Sequence, residues 1–161
     1  MPSELKEDKI QLREFTADDV KRVFELANDK FTRENSYSSD EIVYEDHVQW
    51  FSEKLNDENF ILFIAEYNNE FVGQVKFDID GNEATIGISI TPDFRGRKLG
   101  SVLINKGIGK FTQIKSQVKI INAFIKKDNI PSTKIFERTG FSYLEDTVIK
   151  GAPSYKYIFN V

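Results

Sequence analysis

Residues 84–101 read ATIGISITPDFRGRKLGS, and their reading decides the architecture. Ala84 to Ile90 (ATIGISI) is a short β-rich run closed by Thr91-Pro92, which predicts a strand. Arg95 to Ser101 follows as a glycine- and arginine-containing turn. Leu99, Val102, Leu103, Phe111 and Ile114 then fit a helix reaching about Lys115, although Gly107 and Gly109 each cost it about 1 kcal/mol. A turn from a strand into a helix brings together unpaired backbone N–H groups, the positive end of a helix dipole and cationic side chains. Such a place suits a phosphate, although the same residues also fit a solvated basic helix face behind a routine turn.

Upstream, Ile10 and Leu12 predict a strand, followed by a helix capped by Thr16 with Val20, Val23, Phe24 and Ala27 at helical spacing. Residues 31–42 (FTRENSYSSDEI) are polar and read as a loop. A second helix carries Tyr44, His47, Val48, Phe51 and Leu55 on one face. Phe60 to Glu66 and Glu70 to Asp78 read as a hairpin joined by Asn68-Asn69, because asparagine tolerates positive φ. Downstream, Val118 to Ile125 is a buried strand, Pro131 opens a helix over Ser132 to Arg138, and Gly140 ends it. Phe141 to Ile149 and Tyr155 to Phe159 are two closing strands. This order has too many consecutive strands for a doubly wound fold. It predicts one domain over residues 1–161, an α/β (α+β mixed) architecture with a mostly antiparallel central sheet flanked by helices.

The chain has 161 residues, 40% of them apolar, which fits one globular core. It contains no cysteine and one histidine, His47, so disulfides, thiolate or multi-histidine metal sites and a cysteine nucleophile are not expected. Met1 to Ile10 lacks the apolar core of a signal peptide, and a cytoplasmic location without membrane insertion is the expectation. The net charge is −4, which argues against nucleic acid. The average hides a division: residues 94–127 hold nine Lys or Arg and no acidic residue, which leaves −13 for the rest of the chain.

Three familiar site motifs fail. Gly109-Lys110 is followed by Phe111, so there is no nucleotide P-loop. Gly107-Ile108-Gly109 lacks the third glycine of a dinucleotide fingerprint. Gly87-Ile88-Ser89 lacks the second glycine of a nucleophile elbow.

Pro92 to Ser101 resembles the acetyl-CoA pyrophosphate loop of the GNAT superfamily of N-acetyltransferases, and Asn129 to Phe141 resembles that family's later N-x-x-[SA]-x-x-x-[YF]-x-x-x-G-F segment. The order of elements agrees from Ile10 to Phe159, which implies the GNAT acyl-CoA acyltransferase fold. Two departures stand out. Lys98 replaces the first loop glycine, so that residue is strained or the loop differs. Phe136 replaces the family's frequent catalytic tyrosine and has no proton to give.

The resemblance implies acetyl-CoA as cosubstrate and no metal. Its pyrophosphate would be held by Arg95, Gly96, Arg97, Lys98, Leu99, Gly100 and Ser101, and its pantetheine by backbone at Ile88, Ser89 and Ile90. Asn129, Ser132 and Phe136 would flank the sulfur end. Glu83 is the implied base, with Ser132, Tyr143 or water supplying the proton to the thiolate. Two further segments, Arg33 to Ser36 and Gly73 to Phe77, together with His47 to Phe51, resemble a subgroup that acetylates amino sugars on nucleotide carriers in the pseudaminic acid pathway. That subgroup implies substrate contacts at Arg33, Asn35, Ser36, His47, Trp50 and Phe77. The competing acceptors are polyamines or peptide amines, because residues 1–80 hold twenty acidic and nine basic groups. A non-catalytic acyl-CoA-binding module is the alternative outside enzymes. The partner is a small-molecule amine, and a homodimer is the implied assembly.

Overall fold

The structure, a computed structural model, describes residues 5–161; residues 1–4, part of the start read above as lacking a signal-peptide core, lie outside the described residues. Seven strands form one sheet: β1 (Ile10–Glu14), β2 (Phe60–Tyr67), β3 (Glu70–Asp80), β4 (Glu83–Ile90), β5 (Ile120–Lys126), β6 (Ser142–Ile149) and β7 (Ala152–Asn160). Their order is β1-β2-β3-β4-β5-β7-β6, and every neighbouring pair is antiparallel except β4 with β5. The helices are α1 (Val20–Ala27), α2 (Lys30–Asn35), α3 (Tyr44–Leu55), α4 (Leu99–Ile114) and α5 (Ile130–Arg138). None of the described helices is long and apolar enough to cross a membrane.

Local chemistry sets most boundaries. Asn68 and Asn69 both adopt positive φ (49° and 65°), the conformation of a tight hairpin turn whose twist matches β2 and β3. Before α1, the Asp19 carboxylate accepts from the Thr16 N–H at 2.8 Å and from Arg13 Nη1 and Nη2, each at 2.8 Å. Burial alone would raise the Asp19 pKa, but the Arg13 hydrogen bonds and the Thr16 N–H hold it below the usual carboxylate range. One reading is corrected: residues 31–42 are not all loop, because Asp29 caps α2 by accepting from the Thr32 N–H at 3.1 Å.

Two apolar layers sandwich the sheet. On one face α4 and α5 cover Phe63, Val75, Phe77, Ile86, Ile121 and Ala123. Phe77 stacks on Phe111 with ring centroids 4.0 Å apart, an arrangement typically adding about 1 kcal/mol beyond area burial. The α4 glycine Gly107 lets the helix approach the sheet, since a Cβ there would lie 2.9 Å from Val75 Cγ1. On the other face, α1 and α3 pack Val23 and Phe51 against Phe60, Leu62 and Ile64. The buried sheet residues of this second layer lie on β2, with Phe71 of β3 packed against them.

Candidate active site

β4 and β5 pair only at Glu83–Ile120, Ala84–Ile121 and Thr85–Asn122, and then part. Two bonds establish which β4 groups face the opening. The Asn82 carbonyl accepts from the Lys119 N–H on the β5 side, whereas the Thr91 N–H donates to Val72 on the β3 side. Ladder bonds alternate along a strand, so Ile86, Ile88 and Ile90 direct their N–H and C=O groups into the gap. Ile90 C=O also accepts from Arg95 Nε at 3.0 Å.

The open end of β4 runs into the predicted cradle. Buried Phe94 anchors the turn, Gly96 has φ 75°, and Lys98 occupies the N-cap of α4 in the left-handed conformation, φ 63°. Lys98 therefore takes the conformation of the glycine it replaces. No side chain caps α4, so the N–H groups of its first turn are free to meet an anion. The turn, α4 and α5 enclose a groove of about 740 Å³ lined by Lys98, Lys106, Lys134 and Arg138, with Glu7 as its acidic member. Gly100 brings the two helices together, because a Cβ there would lie 2.9 Å from Ile135 Cδ1. Free donors, a positive helix end and several cations fit a pyrophosphate.

Gly96, Lys98, Leu99, Gly100 and Ser101 line this groove, and exposed Arg97 stacks on Phe94 at 5.1 Å beside it. Arg95 does not belong to the cradle. Its guanidinium pairs with Asp29, donates to Thr32 Oγ1 at 3.4 Å and lies 4.6 Å above the Phe31 ring. With its guanidinium engaged by residues of and next to α2, Arg95 acts as a clamp on that helix. Burial alone would raise the Asp29 pKa, but Arg95 and the Thr32 N–H lower it below the usual range. Ser89 is corrected as well: the strand alternation turns its backbone toward β3 and its side chain to the face opposite α4.

On α5, Asn129 Oδ1 accepts from the Ser132 N–H at 3.4 Å, so this amide serves as the helix cap. Ser132 is half-buried in the first turn, and Phe136 is buried edge-to-face against Phe141 at 5.0 Å. Two acid–base candidates are misplaced. Glu83 sits at the closed end, paired with Asp80 and Ile120, seven residues or roughly 23 Å along the strand from Ile90. Tyr143 lies on the edge strand β6, separated from the gap by β5 and β7. It donates to Asp146 at 2.8 Å, and that bond raises its pKa, making it a weaker acid.

Each of the six acceptor candidates has a partner within the fold. Phe77 is fully buried beneath α4, on the wrong face of the sheet. His47 is 4% exposed and contacts the Val20 carbonyl at 3.2 Å; burial lowers its pKa. Trp50 packs against Phe60 at 5.7 Å. Arg33 is held by the carbonyls of Ala27 (2.6 Å) and Ser38 (2.7 Å), Asn35 donates to Phe31 C=O, and Ser36 to Thr32 C=O. These last three shape α2, which spans the opening: Arg95 ties its start to the end of β4. Lys126 donates to Glu34 C=O at 3.1 Å at the end of β5, and Tyr37 donates to Ser154 Oγ at 2.7 Å on β7. The tethers Asp29, Tyr37 and Lys126 have no local sequence signal, since each acts across more than sixty positions.

Comparison with known proteins identifies the family and the fold. Residues 9–142 match the family described as Acetyltransferase (GNAT) domain. The spermidine N-acetyltransferase from Vibrio cholerae in complex with CoA and spermine superposes with a TM-score of 0.87 at 17% identity, over 95% of this chain and 96% of that one. A dodecameric structure of the Vibrio cholerae enzyme in an intermediate state gives 0.80 at 18% identity, over 95% and 94%. Mycothiol acetyltransferase of Corynebacterium aurimucosum is 36% identical over 59 residues, 37% of this chain; the match spans about a fifth (19%) of that curated relative.

Proposed function

Because the chain belongs to the GNAT acetyltransferase family, a family of acyltransferases, we propose that it carries an acetyl group from acetyl-CoA to a primary amine within a ternary complex. The observation that carries this reading is the uncapped start of α4 opening onto the β4–β5 gap. When bound, acetyl-CoA supplies an acetyl group activated as a thioester. The first-turn N–H groups of α4, with Lys98, Arg97, Lys134 and Arg138, hold its pyrophosphate. The backbone of Ile88 and Ile90 receives the pantetheine amides as an added strand. A β4 N–H facing the gap is a fixed donor toward the carbonyl oxygen, and such donors are typically the largest catalytic term. With no cysteine in the chain, there is no acyl-cysteine route, and the amine attacks directly.

An alkylammonium with a pKa near ~10.4 must lose a proton first. Glu83 is too far from the opening to take it directly, which leaves water in the gap as the base. A thiol leaving group with a pKa near ~8.5 needs little protonation, so Phe136 is compatible with turnover. The nucleotide-linked amino sugar draws no support from these relatives. A polyamine is the second reading, favoured by the spermidine enzymes' fold likeness.

The test is free-thiol release from acetyl-CoA with amino-sugar nucleotides, polyamines and N-terminal peptides. Turnover with at least one amine is expected, and failure to bind CoA would overturn the assignment. Gly100→Asp is expected to abolish CoA binding by placing a carboxylate in the cradle. Gly100→Ala, which asks only that Ile135 shift by a few tenths of an ångström, is expected to retain it.

A further inference from the structure

The sheet face opposite α4 carries a second polar site that the cofactor groove does not use. Gln74 and Asn122 are each 8% exposed, and their side-chain oxygens are buried without a hydrogen-bond partner. A buried amide oxygen left without a donor is destabilising, and a bound polar group would relieve it.

Register places both on the face where β4 and β5 part. Gln74 pairs with Ser89, Lys76 with Gly87, and Asn122 with Thr85, the last rung before the strands separate. Between the two amides, Lys76 lies flat across β4: a Cβ on Gly87 would be 2.9 Å from Lys76 Cε and 3.3 Å from its Cγ. Glycine at position 87 is what allows the arm to cross toward the gap. Among the described residues, no carboxylate lies within 4.0 Å of the Lys76 ammonium; Asp78, on its own strand and face, is engaged by Lys54 at 3.9 Å. Across the opening, Lys156 stands over the Phe124 ring at 5.8 Å, and Lys126 over Tyr37 at 5.8 Å. Glu145, opposite Lys156, is the nearest counter-charge by register. Lys76 thus lies between the two unmatched amides on this face, with Lys156 and Lys126 on the β5–β7 side of the gap, Lys126 being bonded to the Glu34 carbonyl.

The geometry points to an acceptor that is itself anionic: a primary amine whose own phosphate or carboxylate meets Lys76, with Gln74 and Asn122 bonding its neighbouring polar groups. This rests on the acetyltransferase reading above and narrows its substrate class. A polyamine brings two or more positive charges to the same lysines, and like charges in a half-buried site repel. Of the twenty acidic groups of residues 1–80, Asp19, Asp29, Glu66 and Asp78 are engaged by arginine or lysine, and Asp78 is the one that shares the strand and face of Lys76.

The experiment titrates CoA-loaded protein calorimetrically with glucosamine 6-phosphate, a nucleotide-linked amino sugar, γ-aminobutyrate and spermidine. The phosphate- and carboxylate-bearing arms separate the two anion sources. Tighter binding of an anionic amine than of spermidine is expected, weakened about tenfold or more by Lys76→Gln with CoA affinity unchanged. Gly87→Ala, which displaces the Lys76 arm, is expected to act in the same direction. Spermidine binding tighter than every anionic amine, no binding of any anionic amine, or Lys76→Gln leaving affinity unchanged would each overturn the proposal. Failure of the wild-type chain to load CoA would instead overturn the acetyltransferase reading.

Discussion

Lys98 shows how one residue can carry a cost and a role together. Its φ of 63° is the conformation that glycine adopts freely and that costs an L-residue about 1 kcal/mol. In return, an ammonium stands at the mouth of the cradle. Lys98→Gly is therefore expected to leave stability unchanged or raise it by up to about 1 kcal/mol, while CoA binding weakens. Thermal melts and CoA titration on the same variant check both halves. His47 makes the complementary point. Burial lowers its pKa, so the folded state favours the neutral ring, and the resulting stability is complete above the unfolded value near ~6.5. As pH falls below that value the unfolded chain takes up the proton first, and stability declines until the folded pKa is passed. Melts from pH 8 to pH 5 are expected to show this loss in the wild type and not in His47→Gln.

Among the elements, β4 and α2 decide the site. β4 was legible because its sequence, its Thr91-Pro92 stop and the turn after it are all local. α2 was read as loop because its cap, Asp29, lies outside the polar stretch, and its tethers arrive from Arg95, Lys126 and Ser154. The Arg95 misassignment has the same origin. An arginine inside a phosphate-type loop looks like a phosphate ligand until the fold brings Asp29 to it from 66 positions away. Phe77 and Trp50 are acceptor contacts by the subgroup resemblance, yet an aromatic side chain serves a core as readily as a substrate, and strand register puts Phe77 under α4.

Over the whole molecule, charge is unevenly spread: +9 along residues 94–127 and −13 elsewhere. The cofactor groove draws four of its cations from Lys98, Lys106, Lys134 and Arg138. CoA affinity is therefore expected to fall as ionic strength rises from ~0.01 to ~0.15 M, where the screening length shrinks from about 30 to about 8 Å. A dissociation constant that does not move with salt would show that hydrogen bonds from the α4 N-terminus suffice without the lysines.

The sequence alone determined the order of the strands, the mixed α/β class and the strand-turn-helix junction at the start of α4. Each depends on neighbours within a few positions: apolar periodicity, turn residues, and a strand-turn-helix junction with free N–H groups. Only the tertiary structure decided which end of β4 opens, which arginine is free, and that Gln74, Lys76 and Asn122 share one face. Those facts follow from strand pairing across dozens of residues, and register reverses every side chain with a shift of one position.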